Sequence, residues 1–199
     1  MRKVTIYTDG SCNPNPGLGG WGYVVFEDRR EPVEDCGGEK QTTNNQMEIT
    51  AAVMALKSLE TRTEVTIYTD SQYVRKGITS WVKGWKRNGW MTASRKPVKN
   101  KELWQELEKS AGDHLITWKW VKGHSGNAGN ELADKLAEQG RQKAISGNGV
   151  AQNISDRTSS LDKCLSLIGN LTQAELRLLN SRIDKMLGEQ GNYPEIPDS

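Results

Sequence analysis

Residues 4–9 read VTIYTD, and residues 65–70 read VTIYTD again. In each copy apolar and polar side chains alternate, the period of a half-buried strand, and each copy ends on an aspartate. Six residues recurring once do not make a repeat architecture, which needs several units at a fixed period. They fit two strands that meet one local requirement. Laid side by side in parallel at the usual strand spacing of ~4.8 Å, the copies bring Asp9 and Asp70 together at the carboxyl end of a sheet, where open α/β sheets place their ligands. Carboxylates that close repel one another, which raises a pKa or calls for a cation between them. The plainer reading is that each Asp caps the turn or helix after it, a role compatible with ligation.

The segments around the two copies set the fold class. After the turn-rich DGSCNPNPGLGG, residues 21–26 read as a second strand, 29–31 as a turn and 33–39 as a weak third strand that completes an antiparallel meander. Thr42 or Thr43 caps a helix over 45–59. A helix starts after Asp70 and runs toward Trp81, a turn follows near 84–89, and 101–111 forms an amphipathic helix. Residues 115–121 supply the fifth strand, and 131–143 a closing helix with Leu132 and Leu136 facing inward. Three strands in series, then strands separated by helices, predict an α/β fold with a mixed sheet covered by helices.

Composition narrows the function. The chain has 199 residues, 35% of them hydrophobic, too many for a wholly disordered polymer. Its longest apolar run, 51–56, falls far short of the ~20 residues needed to span a bilayer, so a transmembrane protein is excluded and no membrane partner is expected. Thr5, Thr8 and Asp9 stand where a signal peptide needs an apolar core, and Cys12, Cys36 and Cys164 form no CxxC pattern; the expected location is the cytoplasm. The near balance of 27 basic against 25 acidic side chains conceals a division. Residues 1–145 hold 22 basic and 18 acidic groups, whereas 146–199 hold 5 and 7. From 71 to 101 there is no acid at all, but nine Lys or Arg interleaved with Trp81, Trp85 and Trp90. A solvated face mixes signs, so this block reads as a polyanion-binding element with stacking surfaces, one Trp at least anchoring it to the core.

Two further groups could join the paired aspartates. Glu48 lies on or beside the buried stripe of a helix that is apolar around most of its circumference, and a charge buried there needs a cation or hydrogen-bond partner. His124, in the Gly-rich loop GHSGNAGN, reads alone as an exposed loop histidine; beside a carboxylate cluster it could move protons near neutral pH. Asp134 could join from the last helix, because the preceding loop returns the chain to the sheet edge after Val121, but taken alone it reads as a surface residue.

The motifs TDGSCNPNPGLGGWG, TTNNQMEITAAVMAL, YTDSQYV, WVKGH and NELAD, in that order and spacing, closely resemble the bacterial type 1 ribonuclease H family over residues 2–143. The resemblance implies a ribonuclease H-like fold, a five-stranded mixed sheet flanked by helices, with the first and fourth strands adjacent. It implies hydrolysis of the RNA strand of an RNA–DNA hybrid, leaving 5′-phosphate and 3′-hydroxyl ends, with two Mg²⁺ per active site and Mn²⁺ as a substitute. By matched position the metal-binding carboxylates fall on Asp9, Glu48, Asp70 and Asp134, which revises the surface reading of Asp134, and the loop histidine on His124. Cys12, Asn15, Asn44, Asn45, Gln46 and Gln72 fall near the sugars and scissile strand, and Thr43 and Asn100 on a DNA phosphate. The block holding Trp81, Trp85, Lys86, Arg87 and Lys96 matches a basic protrusion that grips DNA. The rival reading is a non-catalytic hybrid-binding module on the same fold, against which four intact carboxylates argue.

The resemblance ends near residue 143. Residues 1–145 are expected to form the catalytic domain, and the Gly/Ser-rich 146–160 a flexible linker. In 161–199, Leu176, Leu179, Ile183 and Leu187 recur on one helical face, which predicts a small helical extension serving a protein partner or self-association.

Overall fold

The computed structural model describes residues 1–145; the linker expected at 146–160 and the extension expected at 161–199 lie outside the described residues. Five strands, β1 (Lys3–Cys12), β2 (Gly17–Glu27), β3 (Val33–Thr42), β4 (Glu64–Thr69) and β5 (Leu115–Trp120), form one sheet in the order β3-β2-β1-β4-β5. The first three are antiparallel, and β4 and β5 run parallel to β1. The two VTIYTD copies are neighbours in perfect register: Val4 faces Val65, Ile6 faces Ile67, Tyr7 faces Tyr68 and Thr8 faces Thr69.

Alternation along these strands divides the core into two layers. Val4, Ile6, Val65 and Ile67 are buried on one face, beneath α1 (Asn44–Lys57), whose Ile49, Ala52, Val53 and Leu56 pack onto them. Tyr7 and Tyr68 point to the other face, where their rings stack at 4.9 Å. There α5 (Ala128–Ile145) packs with Leu132 and Leu136 against Val24 and Phe26. The amphipathic helix α4 (Lys101–Gly112) lies beside α1 and buries Trp104 and Leu107 completely.

Two segments differ from the sequence expectation for physical reasons. The glycine-rich stretch after Asp9 is mostly strand, with β1 continuing to Cys12 and β2 beginning at Gly17. Close approach is what its Gly20 is needed for: a Cβ there would strike the backbone of Ala137 and Arg141, just as one on Gly38 of the neighbouring β3 would strike Gly140. The small residues Ala133, Ala137, Gly140 and Ala144 of α5 are buried at the same time, so helix and sheet approach backbone to backbone. The second difference lies in the basic block. Helix α2 (Gln72–Lys76), a π-helical turn (Gly77–Trp81) and α3 (Val82–Arg87) run on through Gly84, where a turn was expected. Gly84 is tolerated because it faces open space; the stop comes at Gly89 and Trp90, both at a φ of 63°.

Candidate active site

Four elements converge at the carboxyl ends of β1 and β4. The register that pairs Thr8 with Thr69 delivers Asp9 and Asp70 side by side. Glu48 comes from the first turns of α1, which sits directly against the sheet: a Cβ on Gly10 would overlap the backbone nitrogen of Glu48. Thr43 caps α1, its hydroxyl accepting from the Gln46 N–H, and so fixes where Glu48 begins. Asp134 arrives from the opposite layer on α5.

The surroundings penalise negative charge. Burial, then the neighbouring Asp70, pushes the Asp9 carboxyl up to about 8 against the pull of the Gly10 N–H, with Asp134 and Glu48 adding to the rise. Burial likewise pushes Glu48 up to about 7, opposed by a hydrogen bond from Ser71 and reinforced by Asp70. Both Glu48 oxygens are held: Asn44 donates to Oε1 at 2.9 Å and the Ser71 hydroxyl donates to Oε2. Asp70 Oδ2 accepts from Asn130 Nδ2 at 3.3 Å, and the Asp70 carbonyl accepts from the Trp120 indole at 3.0 Å. His124, exposed and at a positive φ of 49°, brings Nδ1 to 3.6 Å from Asp134 Oδ2.

The structure sorts the other expected residues into two groups. Asn15, Thr43, Asn45, Trp85, Lys96 and Asn100 line one cavity of about 590 Å³ at the start of α1, the helix that carries Glu48. Cys12, Asn44, Gln46 and Gln72 instead make internal contacts. The Cys12 thiol donates to the Thr42 carbonyl at 3.4 Å, Asn44 orients Glu48, Gln46 Oε1 accepts from the Thr42 and Thr43 hydroxyls, and Gln72 accepts from Arg75. Lys86 is paired with Glu108 at 2.8 Å, while Arg87 is exposed. Trp85 and Trp90 are the anchors of the basic block, packed against the core; Trp81 is the more exposed ring, 5.8 Å from Trp85. Sequence reasoning passed over Ser71 and Asn130. Ser71 was findable as the polar residue directly after Asp70 at a helix start, and Asn130, 1% exposed, opens the NELAD motif although no periodicity marks it as buried.

Parallel strands that crowd carboxylates together next to an aromatic, basic groove define a phosphodiester-cleaving class of α/β protein, and comparison with known proteins narrows it. The family model for RNase H matches residues 1–142. The ribonuclease H of Marinobacter nauticus is 57% identical over 139 residues, covering 69% of this chain and 93% of that protein. That of Mycolicibacterium gilvum is 56% identical over 148 residues, covering 74% and 97%. Among solved structures, a type 1 RNase H described as carrying the type 2 active-site motif superposes with a TM-score of 0.66 at 34% identity, covering 72% of this chain and 74% of that one. The chain belongs to the ribonuclease H family. Its activity is that of an endoribonuclease acting on the RNA strand of RNA–DNA hybrids, a hydrolase of phosphodiester bonds.

Proposed function

We propose that this hydrolysis is a metal-assisted in-line displacement with Asp9, Glu48, Asp70 and Asp134 as the metal-binding groups, two Mg²⁺ ions as the working pair and 5′-phosphate and 3′-hydroxyl ends as products. The observation that carries the reading is the β1–β4 register, which sets two aspartates side by side at a sheet end where burial already holds one carboxyl at about 8. Two half-buried acids whose ionisation is pushed up to or above neutral pH are a site in want of positive charge. The donors are all oxygens, which suits Mg²⁺ or Mn²⁺ better than zinc. Bound metal would supply Lewis acidity and a more acidic water.

The residues divide the remaining work. Asn44 and Ser71 each donate to one oxygen of Glu48, and Asn130 donates to one oxygen of Asp70, so these two carboxylates are oriented before substrate arrives. His124 stands close enough to Asp134 to take up or return a proton beside it, or to ease product away. The groove reads the hybrid. Thr43, Asn100 and Lys96 meet a DNA phosphate and Trp85 a deoxyribose, while Asn15 and Asn45 lie near the sugars and 2′-hydroxyls mark the RNA strand. Lys86 joins by exchanging Glu108 for a phosphate. Unpaired Cys12 and Cys36 support a cytoplasmic location, and among the described residues no helix is long and apolar enough to cross a membrane. Residues 1–145 form the catalytic domain in this reading, with 146–160 as linker and 161–199 as a partner or self-association segment.

End-labelled hybrid, double-stranded RNA and double-stranded DNA incubated with Mg²⁺ or EDTA test the proposal. Mg²⁺-dependent cutting confined to the hybrid's RNA strand, lost in Asp70→Asn, is expected. Retained turnover in that variant removes the metal-ligand assignment; hybrid binding without cutting in the wild type turns the reading to the non-catalytic module.

A further inference from the structure

The cavity lined by Thr43, Lys96 and Asn100 has a third wall that no reading so far uses. It is Tyr73, on α2. Two donors converge on its hydroxyl oxygen: the indole Nε1 of Trp104 at 3.3 Å and the amide Nδ2 of Asn100 at 3.3 Å. Trp104 is fully buried and its indole is donor-only, so Tyr73 is what satisfies it. With two N–H groups on its oxygen, the hydroxyl has only its proton left to place, and among the described residues it donates to no protein acceptor. With the Asn100 amide turned over, Tyr73 donates to Oδ1 and the amide NH₂ takes the outward place. In the first arrangement the Tyr73 O–H, and in the second an Asn100 amide N–H, is left as a donor for the cavity. The walls there carry Lys96 and Lys99 and no acid.

We propose that Tyr73 is the positioning residue of the DNA-strand phosphate site: anchored by the buried Trp104 indole, it fixes Asn100 and directs that remaining donor onto a phosphate oxygen. The inference rests on the reading of this cavity as a phosphate site. The anchoring is rigid, because the Tyr73 and Trp104 rings also pack at 5.2 Å and Trp81 closes on the outer side of Tyr73 at 6.0 Å. It also explains an otherwise costly feature. Asn100 adopts a left-handed backbone with φ of 58° and makes no cap bond to α4 from its side chain. A residue strained in that way is held for what its side chain does elsewhere.

Tyr73→Phe keeps the ring and removes the oxygen. Its KM for hybrid should rise about tenfold with kcat unchanged, as for loss of one hydrogen bond to a charged group. Its log–log salt slope should match the wild type, because no cation is lost. The decisive measurement is binding in EDTA to hybrids carrying a single neutral methylphosphonate walked along the DNA strand. The wild type should show one position with a penalty of about tenfold, and Tyr73→Phe should lose most of that penalty at that position alone. In the wild-type protein the Trp104 indole N–H resonance should shift on binding ordinary hybrid and stay put with the sensitive phosphate neutralised. That readout needs no variant to fold. A full penalty in Tyr73→Phe, or a Trp104 signal indifferent to the phosphate, overturns the role of Tyr73. A wild type with no sensitive phosphate overturns the phosphate site itself, and Tyr73 with it.

Discussion

Replacing Asp9 by Asn should make the metal-free protein more stable and its active site inert. The Asp9 carboxyl is raised from 3.8 to about 8, mainly by burial and then by Asp70. Between those two values the folded chain holds a proton that the unfolded chain releases, so unfolding is increasingly favoured as pH rises from about 4 to 8, and the loss levels off above that. At about 1.36 kcal/mol per pKa unit, the rise sets a ceiling of about 5–6 kcal/mol on the cost of ionising Asp9. Asp70, Asp134 and Glu48 share that cost, and local rearrangement relieves part of it, so a gain of about 2 kcal/mol at pH 8 is expected for Asp9→Asn. The Asn side chain keeps an oxygen for the Gly10 N–H, which now reaches Asp9 Oδ1 at 2.7 Å. Urea denaturation in EDTA at half-unit steps from pH 5 to 9 measures the gap. Wild type should lose stability across this range and the variant should lose less, with the curves converging at the acid end. Saturating Mg²⁺ at pH 8 should then stabilise the wild type by about 2–3 kcal/mol and the variant far less, since an ion binding only the folded state adds stability by mass action. A variant no more stable than wild type, or a gap that ignores pH, would refute the electrostatic account of the site.

Other perturbations test separate parts. Ser71→Ala removes both the cap of α2 and the donor that holds the Glu48 pKa down; about 1 kcal/mol of stability should go, and the Mg²⁺ concentration for half-maximal rate should rise more at pH 6.5 than at pH 8.5. Gly140→Ala drives a Cβ into the Gly37 carbonyl and should cost about 1–3 kcal/mol in urea denaturation while leaving the rate at low temperature intact. Replacing Lys86, Arg87 and Lys96 together by Ala should weaken hybrid binding and flatten its salt dependence, with maximal rate near the wild-type value. A chain ending at residue 145 should cut hybrids at the full-length rate, and any change in oligomeric state would be assigned to 161–199 by light scattering.

What the sequence disclosed follows the range of the interactions involved. The VTIYTD echo could be read because alternation is local and both copies obey it, and the aspartates came with it. Glu48 was legible because a charged residue on an apolar helix face contradicts its neighbours. Asp134 was not, since nothing within its own helix says that the outward-tending face meets the sheet end; the family motif supplied what periodicity lacked. The glycines between Asp9 and Trp21 read as turns because φ freedom and close approach leave the same mark in a sequence. For Gly20 it is the opposing Ala137 and Gly140, more than 100 residues away, that show which applies. Ser71 and Asn130 act through single hydrogen bonds to carboxylates brought near by tertiary folding, and such bonds have no period to read.

The centre of the sheet is, chemically, two layers of one hexapeptide stacked in parallel and in register, each side chain on its own copy. That is the arrangement by which identical segments of separate chains build fibrils. Here the ladder is bounded by chemistry that differs: β2 closes one side in antiparallel, and β5 on the other carries LITWKW, not a third copy. Each layer also ends on an aspartate, and burial together with the Asp70 beside it already pushes the Asp9 carboxyl up, so a further identical layer would add another acid to the row. The charge repulsion that makes the site receptive to a cation thus also discourages the strand pair from recruiting more of itself.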